Sequence, residues 1–221
     1  DFSIGGDNPA TPAGVKIYAG DADANDWFGF YRQSTAIEGE YAVVGAPEYQ
    51  DDVETGAAYV YRRNGNQWVQ VAKLTASDGR GGDNFGHSVD ISGDTIIVGN
   101  VRAESSDNPD FIRTGAAYVF VKPEDGWANM TETAKLTFTE ASTPNPRTNT
   151  FGRAVAISND YAIVAAYYDS SDEYISGAVY VYEKPDSGWR DMTETAMLRV
   201  SDPQRWGYVG NSLDIDGEYI I

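Results

Sequence analysis

The dipeptide Phe-Gly recurs along this chain at positions 28–29, 85–86 and 151–152, with a weaker copy at Val209-Gly210. Fixed-period self-similarity constrains a fold more tightly than any single residue, because each repeat must solve the same packing problem as its neighbours. Four further features keep step with the dipeptide. An alternating segment ends in a tight turn at Ala36–Glu40, Val89–Asp94, Val155–Asp160 and Leu213–Glu218. An apolar run follows at Tyr41–Ala46, Thr95–Gly99, Tyr161–Ala166 and Tyr219–Ile221. Next comes Gly-Ala-(Ala/Val)-Tyr-Val-(Tyr/Phe) or its shifted form, at Gly56–Tyr61, Gly115–Phe120 and Gly177–Tyr182. Last, Trp68, Trp127 and Trp189 each precede an Ala-(Lys/Met)-Leu triplet.

Each unit reads as four short strands. Ser88–Ser92 alternates with period two, and Gly93-Asp94 is a two-residue hairpin turn. Thr95–Val98 is apolar on both faces, as a strand buried between neighbouring sheets must be. Ala116–Val121 is aromatic and β-branched, and a fourth strand runs into Ala134–Thr137. No segment has a helical period. One four-stranded sheet cannot bury both faces alone, and radial stacking solves that. The expected fold is all-β, a propeller of four-stranded antiparallel blades. The blades span about 28–76, 85–138 and 151–200, with a partial blade at 209–221 and a leading strand at 15–19. Residues 1–14 match no repeat and read as an extension or linker. Ile221 falls within a strand, which suggests part of a longer polypeptide. The recurring tryptophans are expected to pack between blades.

Phe85-Gly86-His87-Ser88-Val89-Asp90-Ile91, Ile97-Val98-Gly99 and Gly115–Phe120 together resemble the FG-GAP repeat, and Gly45-Ala46-Pro47 supplies its other tripeptide. The resemblance spans Val15 to Ile221. It implies a seven-bladed propeller of the kind at the head of integrin α chains, found on cell surfaces and binding mostly proteins or glycans. Many such blades carry a calcium loop between strands one and two. Here that place holds only Glu38-Gly39-Glu40, Ser92-Gly93-Asp94, Ser158-Asn159-Asp160 and Asp216-Gly217-Glu218. These turns are too short to wrap a cation with six or more oxygens, so calcium is not expected there.

The net charge of −18 disfavours nucleic acid and anionic membranes as partners. The absence of cysteine excludes disulfides and thiolate chemistry. No apolar run is long enough for a transmembrane helix. Catalysis lacks support: His87 is the only histidine, and Gly79–Gly82 opens no helix that could cradle a phosphate.

In an up-and-down blade, the loops joining strands two and three and those joining strand four to the next strand one share a face. These are the long, unequal ones, and variable loops on a rigid scaffold are where binding resides. They carry the candidate ligand-binding residues Trp27, Asp51, Asp52, Asp107, Asp110, Phe111, Asp172, Tyr174 and Trp206. Asp21, Asp23 and Asn25 place oxygens at alternate positions, a weak calcium pattern. Asp78 and Asp83 fit as caps of their own turn. Asn129-Met130-Thr131 is an N-glycosylation sequon. The sequence therefore points to a non-catalytic extracellular or cell-surface module that contacts a protein partner or neighbouring subunit. The alternatives are a glycan-binding propeller and the accessory propeller of a larger secreted enzyme.

Overall fold

A computed structural model describes residues 2–4, 15–21, 27–47, 55–103, 114–139, 150–168, 176–202 and 209–221. These residues form strands and turns and no helix, so no helix among them is long and apolar enough to cross a membrane. Two strands, β1 (Phe2–Ile4) and β2 (Val15–Ile17), pair antiparallel. The stretch before Val15 therefore contains a strand rather than linker alone. Blade one holds β3 (Thr35–Glu38), β4 (Tyr41–Ala46), β5 (Ala57–Asn64) and β6 (Gln67–Thr75). Blade two holds β7 (Phe85–Ser92), β8 (Thr95–Asn100), β9 (Ala116–Val121), a short β10 (Met130–Thr131) and β11 (Ala134–Leu136). Blade three holds β12 (Phe151–Ser158), β13 (Tyr161–Ala166), β14 (Ala178–Glu183) and β15 (Ala196–Leu198). A fourth sheet consists of β16 (Ile215–Asp216) and β17 (Tyr219–Ile220).

Within each whole blade the four main strands run in chain order, all antiparallel, whereas β10 leaves blade two to join the edge of the blade-one sheet. The hairpin between strands one and two is two residues long in every copy, closed by Glu38↔Tyr41, Ser92↔Thr95, Ser158↔Tyr161 and Asp216↔Tyr219. Three of the hairpin carboxylates form ion pairs within their own blade: Glu40 with Arg62, Asp94 with Lys122 and Asp160 with Lys184.

The core lies between blades. Along β8, Ile96 and Val98 face blade one while Ile97 faces blade three. Along β9, Tyr118 and Phe120 face blade one while Ala117 and Val119 face blade three. This explains the unbroken apolar runs: a strand with sheets on both sides has no solvent face to make polar. Each such side chain contributes roughly 1.5–3 kcal/mol by leaving water. Trp127 and Trp189 are buried in these clusters as expected. Trp68 differs. It sits half-buried on a long β5–β6 hairpin, beyond the register shift at Val60–Tyr61, and packs on the cluster around Ile17 and Ala19.

Blades two and three share a device that blade one lacks. Between the tryptophan and the last strand they carry (Asn/Asp)-Met-Thr-Glu-Thr, Asn129–Thr133 and Asp191–Thr195. The segment reaches back onto the preceding blade. β10 pairs in parallel with β6, and Met192 bridges Leu136. Asn129 Oδ1 accepts the Lys73 amide at 2.8 Å, and Asp191 Oδ1 accepts the Lys135 amide at 2.8 Å. Glu132 and Glu194 accept the Ser77 and Thr139 amides, both at 2.9 Å.

The motif glycines are explained by backbone contact between blades. A Cβ on Gly45 would lie 2.0 Å from the Gly86 carbonyl oxygen, and one on Gly56 would lie 2.2 Å from the Phe85 oxygen. Gly99 and Gly115 meet Gly152 and Phe151 in the same way one blade later. Gly86 itself has φ +94 and would drive a Cβ to 2.3 Å from the Ala57 oxygen. Gly86→Ala is expected to cost about 3 kcal/mol or more, since backbone cannot yield cheaply. Gly65→Ala, also at positive φ but with nothing within 4 Å, is expected to cost about 1 kcal/mol. Urea midpoints of the two variants measure the difference.

Candidate functional site

The head of strand one is a strained turn that repeats. Trp27, Asn84 and Thr150, the residues just before Phe-Gly, have φ of 49°, 63° and 49°. Asparagine tolerates that region, whereas tryptophan and a β-branched threonine do so at a cost of roughly 1–2 kcal/mol each. In each copy the residue after Phe-Gly donates its amide back across the turn: Phe30 to Trp27 at 3.0 Å, His87 to Asn84 at 3.3 Å, Arg153 to Thr150 at 3.2 Å. A bond between blades holds the turn, with the Phe85 amide donating to the Thr55 carbonyl at 3.1 Å. The result is one residue per blade turned toward a common axis.

Those residues line one cavity of about 310 Å³, formed by Phe30, Tyr31, Arg32, Gln33, His87, Arg153 and Asn211. Blade one contributes four of them because it has three extra residues before its strand. Counted from Phe-Gly, His87 corresponds to Phe30; counted back from the hairpin, it corresponds to Gln33. The Gln33 side chain also donates to the Leu213 carbonyl at 3.2 Å, joining the first inner strand to the fourth. The cavity lies at the head of strand one, hence on the face from which the long loops depart.

Aromatic contacts shape one side. Tyr31 stacks on His87 with ring centroids 3.9 Å apart, and Phe30 contacts Trp27 at 4.7 Å and Tyr31 at 5.3 Å. Phe30 is 65% exposed, an uncovered aromatic at the rim. Arg153 lies over the Tyr167 ring at 5.2 Å. His87 is 5% exposed, and its Nδ1 has no hydrogen-bond partner among the described residues. Burial, with Arg153 adding repulsion, lowers its pKa to about 4, so the imidazole is neutral at pH 7.

A second cavity of about 200 Å³ continues along the axis between the inner strands, lined by Thr35, Val89, Val155 and Leu213 and by Asp90 and Asp214. The Asp90 carboxylate accepts the Ile157 amide at 2.7 Å. Burial raises its pKa to about 6, and the nearby Asp214 and Glu38 add to the rise. The axis is thus cationic and aromatic at the loop face and acidic one layer below.

Comparison with protein families finds the FG-GAP repeat at residues 14–61, 68–120 and 130–182. The chain belongs to the FG-GAP repeat family. A comparison with curated proteins returned no match. The three FG-GAP repeats coincide with the described strands through β14, and the four-stranded sheets are its blades.

Of the sequence-derived site residues in this FG-GAP propeller, Trp27 stands beside the axial cavity, against Phe30. Asp51, Asp52, Asp107, Asp110, Phe111, Asp172, Tyr174 and Trp206 lie outside the described residues, as do Asp23 and Asn25. Asp21 is described, and its carboxylate pairs with the Lys73 ammonium, which holds its pKa below the ordinary value. Asp78 occupies the same place one blade later. It accepts the Tyr118 hydroxyl at 2.9 Å and pairs with Lys135, rather than capping its own turn. Burial works against the Asp78 carboxylate, but these partners outweigh it and keep its pKa low. Asp83 does cap its turn, accepting the Arg80 amide at 2.8 Å. Asn129 is exposed, with its side-chain oxygen committed to the clasp on Lys73. No cluster of three metal-ligating side chains occurs among the described residues. Sequence reasoning missed Arg32, Gln33, Arg153 and Asn211. Reading down the column after each Phe-Gly (Phe30, His87, Arg153, Asn211) would have drawn attention to it, since this inner position is not apolar in the last three copies.

Two titrations test the axis. The single imidazole should titrate by NMR with a pKa near 4, and a value near 6.5 would contradict its burial. The Asp90 pKa is higher folded than unfolded, so its contribution is fully present below about 3.8 and is lost as pH rises through about 6. The His87 pKa is lower folded, so stability falls as pH drops from 6.5 toward 4. The two oppose each other in that window. Asp90→Asn, which keeps an acceptor for Ile157, should gain about 1–2 kcal/mol at pH 8. It should also expose the histidine's acid-side loss in urea denaturation between pH 4 and 8.

Proposed function

We propose that this chain is a non-catalytic protein-binding module that engages its partner through the loop face, in an extracellular or cell-surface setting. One observation carries the reading: an axial cavity opens on that face, built by the strained turns of three blades with Asn211 of the fourth, and rimmed by Trp27, Phe30, Tyr31 and two arginines. Tryptophan, tyrosine and arginine are the residue types that dominate protein interface energetics. The exposed Phe30 ring lies against Trp27 and Tyr31, so the apolar surface there is a patch of three aromatics rather than one isolated side chain. Membership of a family of largely non-catalytic propellers supports the same reading. The opposite face supports it by contrast. Its strand one–two hairpins are two residues long, and their carboxylates are tied to Arg62, Lys122 and Lys184.

The exposed Phe30 beside Trp27 also suits stacking on a sugar ring, which makes a glycan ligand the second reading. Peptides selected from a displayed library against the wild-type protein separate the surfaces. Phe30→Ala and Arg32→Ala should weaken the selected binders at least tenfold, whereas Glu124→Ala and Glu183→Ala on the hairpin face should not. Loss confined to the hairpin-face variants would discard the proposal, and binding to a glycan array with no selectable peptide would favour the second reading.

A further inference from the structure

We infer that the axial cavity is a carboxylate socket, and that it takes an aspartate or glutamate side chain of a partner protein, flanked there by lysine or arginine. The inference rests on the loop face being the protein-binding surface. Three observations lead to it.

First, the chain has 34 acidic residues against 16 lysines and arginines, so cations have carboxylates in plenty. Arg62, Lys73, Lys122, Lys135 and Lys184 are all ion-paired. Arg32 and Arg153 have no ion-pair partner among the described residues, a state they share with Arg63 and Arg190, but they alone of these line one cavity together. Two guanidinium groups converging on one space fit a carboxylate, which accepts their paired N–H bonds.

Second, the rest of the lining supplies polar atoms and no carboxylate. The Gln33 and Asn211 amides and the neutral His87 face the same space, and His87 Nδ1 is buried without a partner. A buried, unsatisfied nitrogen is costly until something bonds to it. Sugar hydroxyls need acceptors as well as donors, and here the side-chain acceptors are neutral ones, the two amides, the imidazole and the Tyr31 hydroxyl, with no carboxylate among them. At about 310 Å³ the space lies at the small end of ligand cavities, with room for a carboxylate side chain and part of the residues that flank it.

Third, the cationic spot sits in a chain of net charge −18, with the Asp90 and Asp214 carboxylates in the next cavity along the axis. A polyacidic ligand would be repelled on approach. A single carboxylate between basic residues meets attraction at both scales: its flanks to the molecule as a whole, its centre to the arginines.

The single histidine makes the test direct. Its imidazole resonances report on the cavity without assignment of the rest. The probes are blocked peptides Lys-Glu-Lys and Lys-Gln-Lys, with glucuronate as an acidic sugar and sodium sulfate as a simple anion. The Lys-Glu-Lys peptide should shift the His87 signals saturably, and Lys-Gln-Lys should bind at least tenfold more weakly. Arg153→Gln and, independently, the exposed Arg32→Gln should each reduce Lys-Glu-Lys affinity at least tenfold while leaving the remaining amide spectrum in place. Equal binding of the two peptides, no shift with either, or shifts from glucuronate or sulfate alone would each overturn the socket. If the socket fails but selected binders still need Phe30, the loop face stands as a binding surface and only the ligand chemistry is wrong.

Discussion

The interaction on which the architecture depends is the direct contact of backbone with backbone between adjacent blades. The carbonyls of one blade's Phe-Gly lie where side chains of the preceding blade would start, at Gly45 and Gly56, and again at Gly99 and Gly115. This closeness lets Phe85 and Phe151 bury fully and lets each strand two pack on both faces. It also sets the turn that precedes strand one. At Asn84-Phe85 a hydrogen bond from the neighbouring blade holds that turn, and Trp27 and Thr150 share its left-handed conformation. Packing, strain and the direction of the axial residues follow from one contact.

Electrostatics divide the molecule by layer rather than by blade. On the blades, several cations neutralise carboxylates locally, as in the Asp21–Lys73 and Asp78–Lys135 pairs that lie beside Tyr59 and Tyr118. Along the axis this pairing stops. Arg32 and Arg153 face the cavity at one end while Asp90 and Asp214 line the layer beneath. Desolvation acts on both His87 and Asp90, lowering one pKa and raising the other, so both groups move toward their neutral forms.

The blades were legible in the sequence because period-two alternation, two-residue turns and the Phe-Gly register all agree. The two-residue hairpins were legible for the same reason. The axial cavity was not. Its members are far apart in the chain and meet only through radial symmetry, so no local spacing announces them. Three extra residues in blade one further blur the register by making both Phe30 and Gln33 counterparts of His87. The clasp was also missed: Asn129 reads as a sequon, whereas the matching Asp191 shows that an acceptor oxygen is what the position requires.

The clasp gives the assembly a polarity that a plain stack of sheets would lack. Each clasp belongs to the later blade and grips the outer strand of the earlier one, β10 on β6 and Met192 on β11. The last strand of blade one is therefore covered until blade two lets go, and that of blade two until blade three does. Such a stack is latched in sequence, like overlapping roof tiles.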